Sequence, residues 1–292
     1  MALGALGTVA SLWRYPVKSM QGEALDSAQI SERGIAGDRA YALIDQATGK
    51  IASAKNPRKW PTLLRCSAVF LEAPANGPSN GEVPPVRVTF PDGAVLASNE
   101  PGFDERASKI LGRDVVLTHV PVESPVLEEY WPDIDGLAHR ETVTDEGFSA
   151  GTPSSSFFDF SAIHLVTTST LAALSGAHPD GRFEPCRFRP NLLISGAPDG
   201  FAENDWVGRQ IRVGDELVLD IVIPCARCVM TTLPQRDLPL DSGILATAAR
   251  RNTVMIAPFG IAMPSVGVYA KVVHGGAVHP GDAVTLVAEP TA

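Results

Sequence analysis

Short apolar segments broken by glycine and proline recur along the chain, and this punctuation constrains the fold more than any other feature. Gly 26 and Pro 24 together make 50 of the 292 residues. Segments of four to eight apolar residues bounded by turn formers suit strands, whereas a helical bundle needs long runs with a 3.6-residue period. The strands do not alternate with long helices as a doubly wound sheet requires. The sequence therefore predicts a predominantly β protein with short helices.

GTVASLWR, within Ala5–Arg14, reads as a strand that ends at Tyr15-Pro16, where proline favours an extended or turning path. AYALI and Lys50–Ser53 read as strands joined by the turn QATG, followed by SAVFLEA and PVRVTF on either side of a separator over Asn76–Pro85. Asp104–Gly112 is the best early helix, with Ala107 and Ile110 or Leu111 inward and Gly112 as a stop. Pro121–Gly147, containing EEYWPDIDG, reads as a mixed-charge loop and marks a transition between residues 1–120 and 121–292. Beyond it, FFDFSAIHLVTT predicts a strand entering a helix near Thr168. RPNLLISG, RQIRVGDELVLDIVI and VGVYAKVV predict further strands, with turns at Val213–Glu216 and His279–Asp282.

Charge narrows the function. Lys+Arg 24 against Asp+Glu 33 gives −9, which disfavours a nucleic-acid binder with a basic surface but leaves room for a local phosphate pocket. No apolar run approaches 18 residues and no signal peptide is evident, so the sequence predicts no integral membrane segment and a cytoplasmic setting. It contains no Walker A loop, Rossmann glycine loop or nucleophile elbow.

Three clusters carry chemistry. In WRYPVKSMQGE and GIAGDRAY, Lys18, Ser19 and Arg39 can neutralise and orient a phosphate, or they can form an ordinary loop with solvated ion pairs; Asp38 can simply hold Arg39. In RFRPN, Arg189 and Asn191 suit a phosphate or a polar heterocycle, or a surface network; in a strand Arg187 would share a face with Arg189. IPCARCVMTT holds Cys225 and Cys228, two of four cysteines. Without a second compact pair, structural zinc and a four-cysteine cluster are poorly supported, and metal, redox and packing roles all stay open. Arg227 can assist a neighbouring thiolate, contact a cofactor or face solvent.

Taken in order, YPVKSMQGE, GIAGDRAY, RFRPNLLISG, DWVGRQIRVGDELVL and PCARCVMTT resemble the two-part MOSC-domain molybdenum enzymes, the group of the mitochondrial amidoxime-reducing components and bacterial relatives. The resemblance implies an N-terminal β-barrel domain over 1–120 packed against a MOSC β-barrel domain over 121–292. It also implies a molybdenum–pyranopterin cofactor with Cys228 as metal ligand and catalytic residue. Lys18, Ser19 and Arg39 correspond to phosphate-binding elements; Thr168, Arg189, Asn191, Ala226, Arg227 and Tyr269 correspond to cofactor contacts. The implied activity is oxygen removal from a small N-hydroxylated or S-oxide substrate. Alternatives are a sulfur- or oxygen-transfer enzyme of specialised metabolism and a nonenzymatic cofactor or sulfur carrier. No CxxxxCxxC series follows CARC, so electrons are expected from a separate electron-transfer protein.

Overall fold

Period-two burial builds the barrel that dominates the computed structural model, which describes residues 4–74, 83–120, 122–134, 140–148 and 156–288. Most of the separator expected over Asn76–Pro85, together with Pro121 and part of the acidic transition, lies outside them. Seven strands close the barrel: β1 (Ala5–Arg14), β2 (Ile163–Thr167), β3 (Leu192–Ser195), β4 (Gln210–Val213), β5 (Leu217–Ala226), β6 (Ile261–His274) and β7 (Ala283–Leu286). Their order is β2-β3-β1-β7-β4-β5-β6, and β6 returns to β2. Only β2 and β3 run parallel. The crossover this requires is made by the helices Thr168–Ala177 and Pro185–Phe188. Val9, Leu165, Ile194, Leu219, Val268 and Val284 fill the interior.

β1 lies between β3 and β7, so the first ten-residue strand completes a barrel otherwise built from residues after 162. The chain then leaves for a second core around Val17, Leu43, Leu63, Val88 and Phe103. This core is covered by the sheet Ser67–Phe70, Val86–Thr89 and Val95–Ala97, by the pair Ala42–Asp45 and Val115–Thr118, and by the helix Phe103–Leu111. Gly112 takes the left-handed backbone (φ 72°) that ends this helix, as the sequence predicts.

Three local expectations need correction. Lys50–Ser53 forms no strand; Ile51 alone bridges Ile44 and Leu127. Arg187 is not in a strand with Arg189, because Pro185 starts a one-turn helix that ends at the left-handed Arg189 (φ 56°). The acidic transition is not a loop either: Val126–Trp131 pairs with Thr142–Gly147 as an antiparallel ribbon. Lys50, Lys55, Arg58 and Lys59 pair with its carboxylates, removing the repulsion that would keep such a segment extended in water. No helix among the described residues is long and apolar enough to cross a membrane.

Candidate active site

The sequence from β1 into the second core begins with Tyr15, whose ring is buried and organises two cations. The guanidinium of Arg39 lies 4.4 Å from the ring centroid and that of Arg189 lies 4.3 Å away. Tyr15 fixes its own position by donating its hydroxyl to the Pro190 carbonyl (3.1 Å). Asp38 ties the segments together, accepting from the Tyr15 amide (2.7 Å), from Asn191 Nδ2 (2.9 Å) and from Arg39. Its expected role of holding Arg39 is therefore only part of what it does.

Among the described residues, no carboxylate pairs with Arg189. It donates to the Met20 carbonyl, and burial followed by the nearby Arg39 charge lowers its pKa to about 10. Lys18 is also buried; its Nζ donates to the Phe157 carbonyl (2.8 Å) and to Asp159 (2.6 Å). Burial lowers Lys18 to about 8 despite Asp159. Ser19, Arg39 and Arg189 all have positive φ, at 63°, 48° and 56°. Such backbone costs free energy in non-glycine residues and persists where surrounding contacts impose it.

Lys18, Ser19, Arg39, Arg189 and Asn191 line one recess. Arg39, Asp159, His164, Arg189, Met230 and Tyr269 belong both to it and to a wider cleft with about 360 Å³ of open space. Ala226, Arg227 and Cys228 line that cleft, so two sequence clusters that lie 190 residues apart share one cavity. Thr168 does not join them. It starts the helix after β2, four residues beyond His164 and roughly 13 Å along the strand direction. Its neighbour Thr167 caps the helix, accepting from Thr170 N (3.1 Å).

Strand parity separates the cysteines. Leu217, Leu219, Ile221, Ile223 and Cys225 alternate inward along β5, and Cys225 is completely buried. Arg227 Nη1 donates to Cys225 Sγ at 2.8 Å. Burial opposes charge on that thiol, but Arg227 and then His164 outweigh it and hold its pKa below the ordinary range. Cys228 lies past the strand end, at the start of the helical turn Val229–Thr232, and faces the cleft. Burial, followed by the Glu129 charge, pushes its thiol up to about 12. A bound metal's own charge reverses that preference, since a coordinated thiol loses its proton.

Tyr269 stacks on Phe160 (centroids 5.6 Å apart) and tilts against His164 (5.4 Å). Burial and then Cys225 raise its pKa well above the usual range, so its Oη keeps its proton. Gly267 permits this packing: its φ is 80°, and a side chain there would strike the Leu165 carbonyl and the His164 ring. Lys55, Asp159 and His164 line the cleft, and Tyr15 packs beneath Arg39 and Arg189, without being singled out in the sequence. Tyr15 sits in the YPVKS motif, and only that proximity signals it.

The recess fits a phosphate-bearing group, because the half-buried Arg39 and the buried Arg189 flank one ring and, with Lys18, outnumber the carboxylates Asp38 and Asp159 beside them. Cys228 offers a soft donor in the adjoining cleft. Among the described residues, no three His, Cys, Asp or Glu side chains converge as a metal site. A metal here must therefore bring most of its own ligands.

Comparison with known proteins finds relatives aligned over most of the chain. Mitochondrial amidoxime reducing component 2 of Homo sapiens is 24% identical, with 97% of this chain and 84% of the relative aligned. Mitochondrial amidoxime-reducing component 1 of Homo sapiens is 25% identical, over 84% of this chain and 70% of the relative. The Xenopus laevis component 1 is 26% identical, over 98% and 83%. Residues 6–94 match the MOSC N-terminal beta barrel domain and residues 152–285 match the MOSC domain. The strand that closes the barrel and the loop that presents Cys228 both fall within these matches, and the chain belongs to the two-part MOSC-domain family.

Proposed function

We propose that the cleft holds a molybdenum–pyranopterin cofactor and that the loaded protein reduces N-hydroxylated compounds with electrons from a separate protein. The observation that carries this reading is the shared cavity, with an under-neutralised cationic recess at one end and the Cys228 thiol in its wider part. Lys18, Ser19, Arg39, Arg189 and Asn191 would hold the phosphate and ring system, and Ala226, Arg227 and Tyr269 would flank the reacting end. Cys228 would ligate the metal. When bound, the cofactor supplies oxygen removal: an N-hydroxyl compound takes up two electrons and two protons and leaves as the N–H compound and water. The chain's own residues orient the group, exclude water and keep a proton on Tyr269 Oη.

The supporting experiment is metal and pterin analysis of the native protein, then anaerobic reduction and exposure to amidoxime, hydroxylamine, N-oxide and sulfoxide acceptors. Near-stoichiometric cofactor that an amidoxime reoxidises is the expected result. Cofactor that no acceptor reoxidises would favour a carrier instead, and absence of pterin would reject both.

Lys18 adds a pH dependence. Its folded pKa is depressed, so the ammonium charge is present below about pH 8 and is lost as pH rises through that value. Sulfate, whose charge is constant over this range, should bind the cofactor-free recess with constant affinity at pH 6.5–7.5 and about tenfold more weakly by pH 9. Lys18→Met should bind weakly throughout with a flat profile. A flat profile in the unmodified protein would contradict the role given to Lys18.

A further inference from the structure

One hairpin faces solvent without the polar side chains that solvent-facing strands ordinarily alternate with apolar ones. Thr253–Ile256 pairs with the start of β6, from Thr253 opposite Pro264 to Ile256 opposite Ile261, and the turn Ala257–Phe259 closes it. The last pair between β5 and β6 is Ala226 with Ser265, so the hairpin projects past that end of the barrel by roughly 10 Å. From Thr253 to Pro264 no side chain is ionisable and only Thr253 is polar, in a chain where 20% of residues are charged. Met255 and Phe259 are each 58% exposed and Ile261 is 40% exposed. Met255 sits opposite the exposed Ala262, while Phe259 and Ile261 form a lip of the wider cleft.

The base of the hairpin carries cations. Arg250 and Arg251 end the helix Gly243–Arg251 just before it; both are exposed, and neither pairs with a carboxylate among the described residues. Arg251 stands no more than roughly 16 Å from Ile256 along the chain. An apolar tip beneath two arginines fits a bilayer interface: the tip enters by about 5–10 Å, and the arginines extend their stems to acidic headgroups. The overall charge of −9 does not decide the matter, because charges beyond about 8 Å are screened at physiological ionic strength. A stable protein interface covers about 800 Å² per partner, more than a narrow tip with these three large side chains offers.

We propose that the hairpin Thr253–Pro264 docks the protein peripherally on acidic bilayers, setting Met255, Phe259 and Ile261 below the headgroups and Arg250 and Arg251 among them. The mouth of the cleft then opens at the bilayer interface, where apolar molecules concentrate. The docking is independent of the chemistry performed in the cleft.

The test is flotation of the full chain, as purified, with vesicles of phosphatidylcholine alone and of an equal mixture of phosphatidylcholine and phosphatidylglycerol. Binding to the mixed vesicles should be at least about tenfold tighter, with a preference that shrinks in salt. Met255→Ser combined with Phe259→Ser should weaken that binding at least about tenfold. Arg250→Ser combined with Arg251→Ser should abolish the preference for mixed vesicles. Val95→Ser, at a position 51% exposed on the second core's sheet, should change nothing. All five side chains are exposed, so Tm should move by no more than about 1 °C and lost binding is not lost fold. Binding to neither vesicle, or either paired substitution without effect, overturns the proposal. A dimer that Met255→Ser with Phe259→Ser dissociates, found without vesicle binding, assigns the tip to a second copy and overturns it too. Each of these failures leaves the reductase reading standing.

Discussion

Cys228→Ser is expected to abolish substrate-dependent turnover, with a loss of at least about a thousandfold, while part of the pterin stays bound through the recess. Cys228 faces the cleft from the start of a helical turn, and its backbone carbonyl already anchors that turn by accepting from Thr231 Oγ1 (3.1 Å). Serine therefore preserves the local fold and changes only the donor atom. An alkoxyl oxygen is harder than a thiolate and far less readily ionised, so it is a poor substitute at a soft metal centre. Cys225→Ser should do less to turnover, because that sulfur ends the inward row of β5 and bonds Arg227. Retained turnover in Cys228→Ser, measured with equal pterin loading, would contradict the assignment.

Arg187→Met should produce a large loss of stability. Arg187 is 1% exposed and donates to four carbonyls: Arg182 (2.8 Å), Thr231 (3.0 Å), Leu233 (3.3 Å) and Pro239 (2.9 Å). Three of these belong to the segment that follows Cys228, so one side chain holds that loop against the crossover. Removing it leaves buried carbonyls unpaired, at a cost of about 3–5 kcal/mol. A fall in Tm of about 10 °C should follow. Arg33→Met, at an exposed position, is the control and should move Tm by no more than about 1 °C. Equal shifts in the two variants would show that the carbonyl cluster is solvated without Arg187.

Much of the barrel is legible from local pattern. GTVASLWR, the turn at Val213–Glu216 and the helix ended by Gly112 announce themselves through period and punctuation. The alternation of LVLDIVIPCA even carries Cys225 onto the inward parity, a physical signal for separating it from Cys228. The site was less legible, because its deciding features are tertiary. Nothing local distinguishes Arg187, which serves the loop, from Arg189, which serves the cleft, since the one-turn helix that contains Arg187 and ends at Arg189 is too short to have a period. EEYW reads as loop until lysines from residues 50–59 neutralise it. Lys55 and Asp159 acquire meaning only from each other and from Lys18. Only the resemblance points to Thr168, and it lies at the start of the helix after β2, outside the residues that line the cavity.

Cys228 is proposed to supply the single protein sulfur to molybdenum in this cleft. X-ray absorption at the molybdenum edge, on the native protein and on both cysteine variants, measures this directly. Cys228→Ser is expected to lose one sulfur neighbour while the two pterin sulfurs persist, and Cys225→Ser is expected to keep all three. Loss of the protein sulfur in Cys225→Ser instead, or an unchanged sulfur shell in both variants, would contradict it.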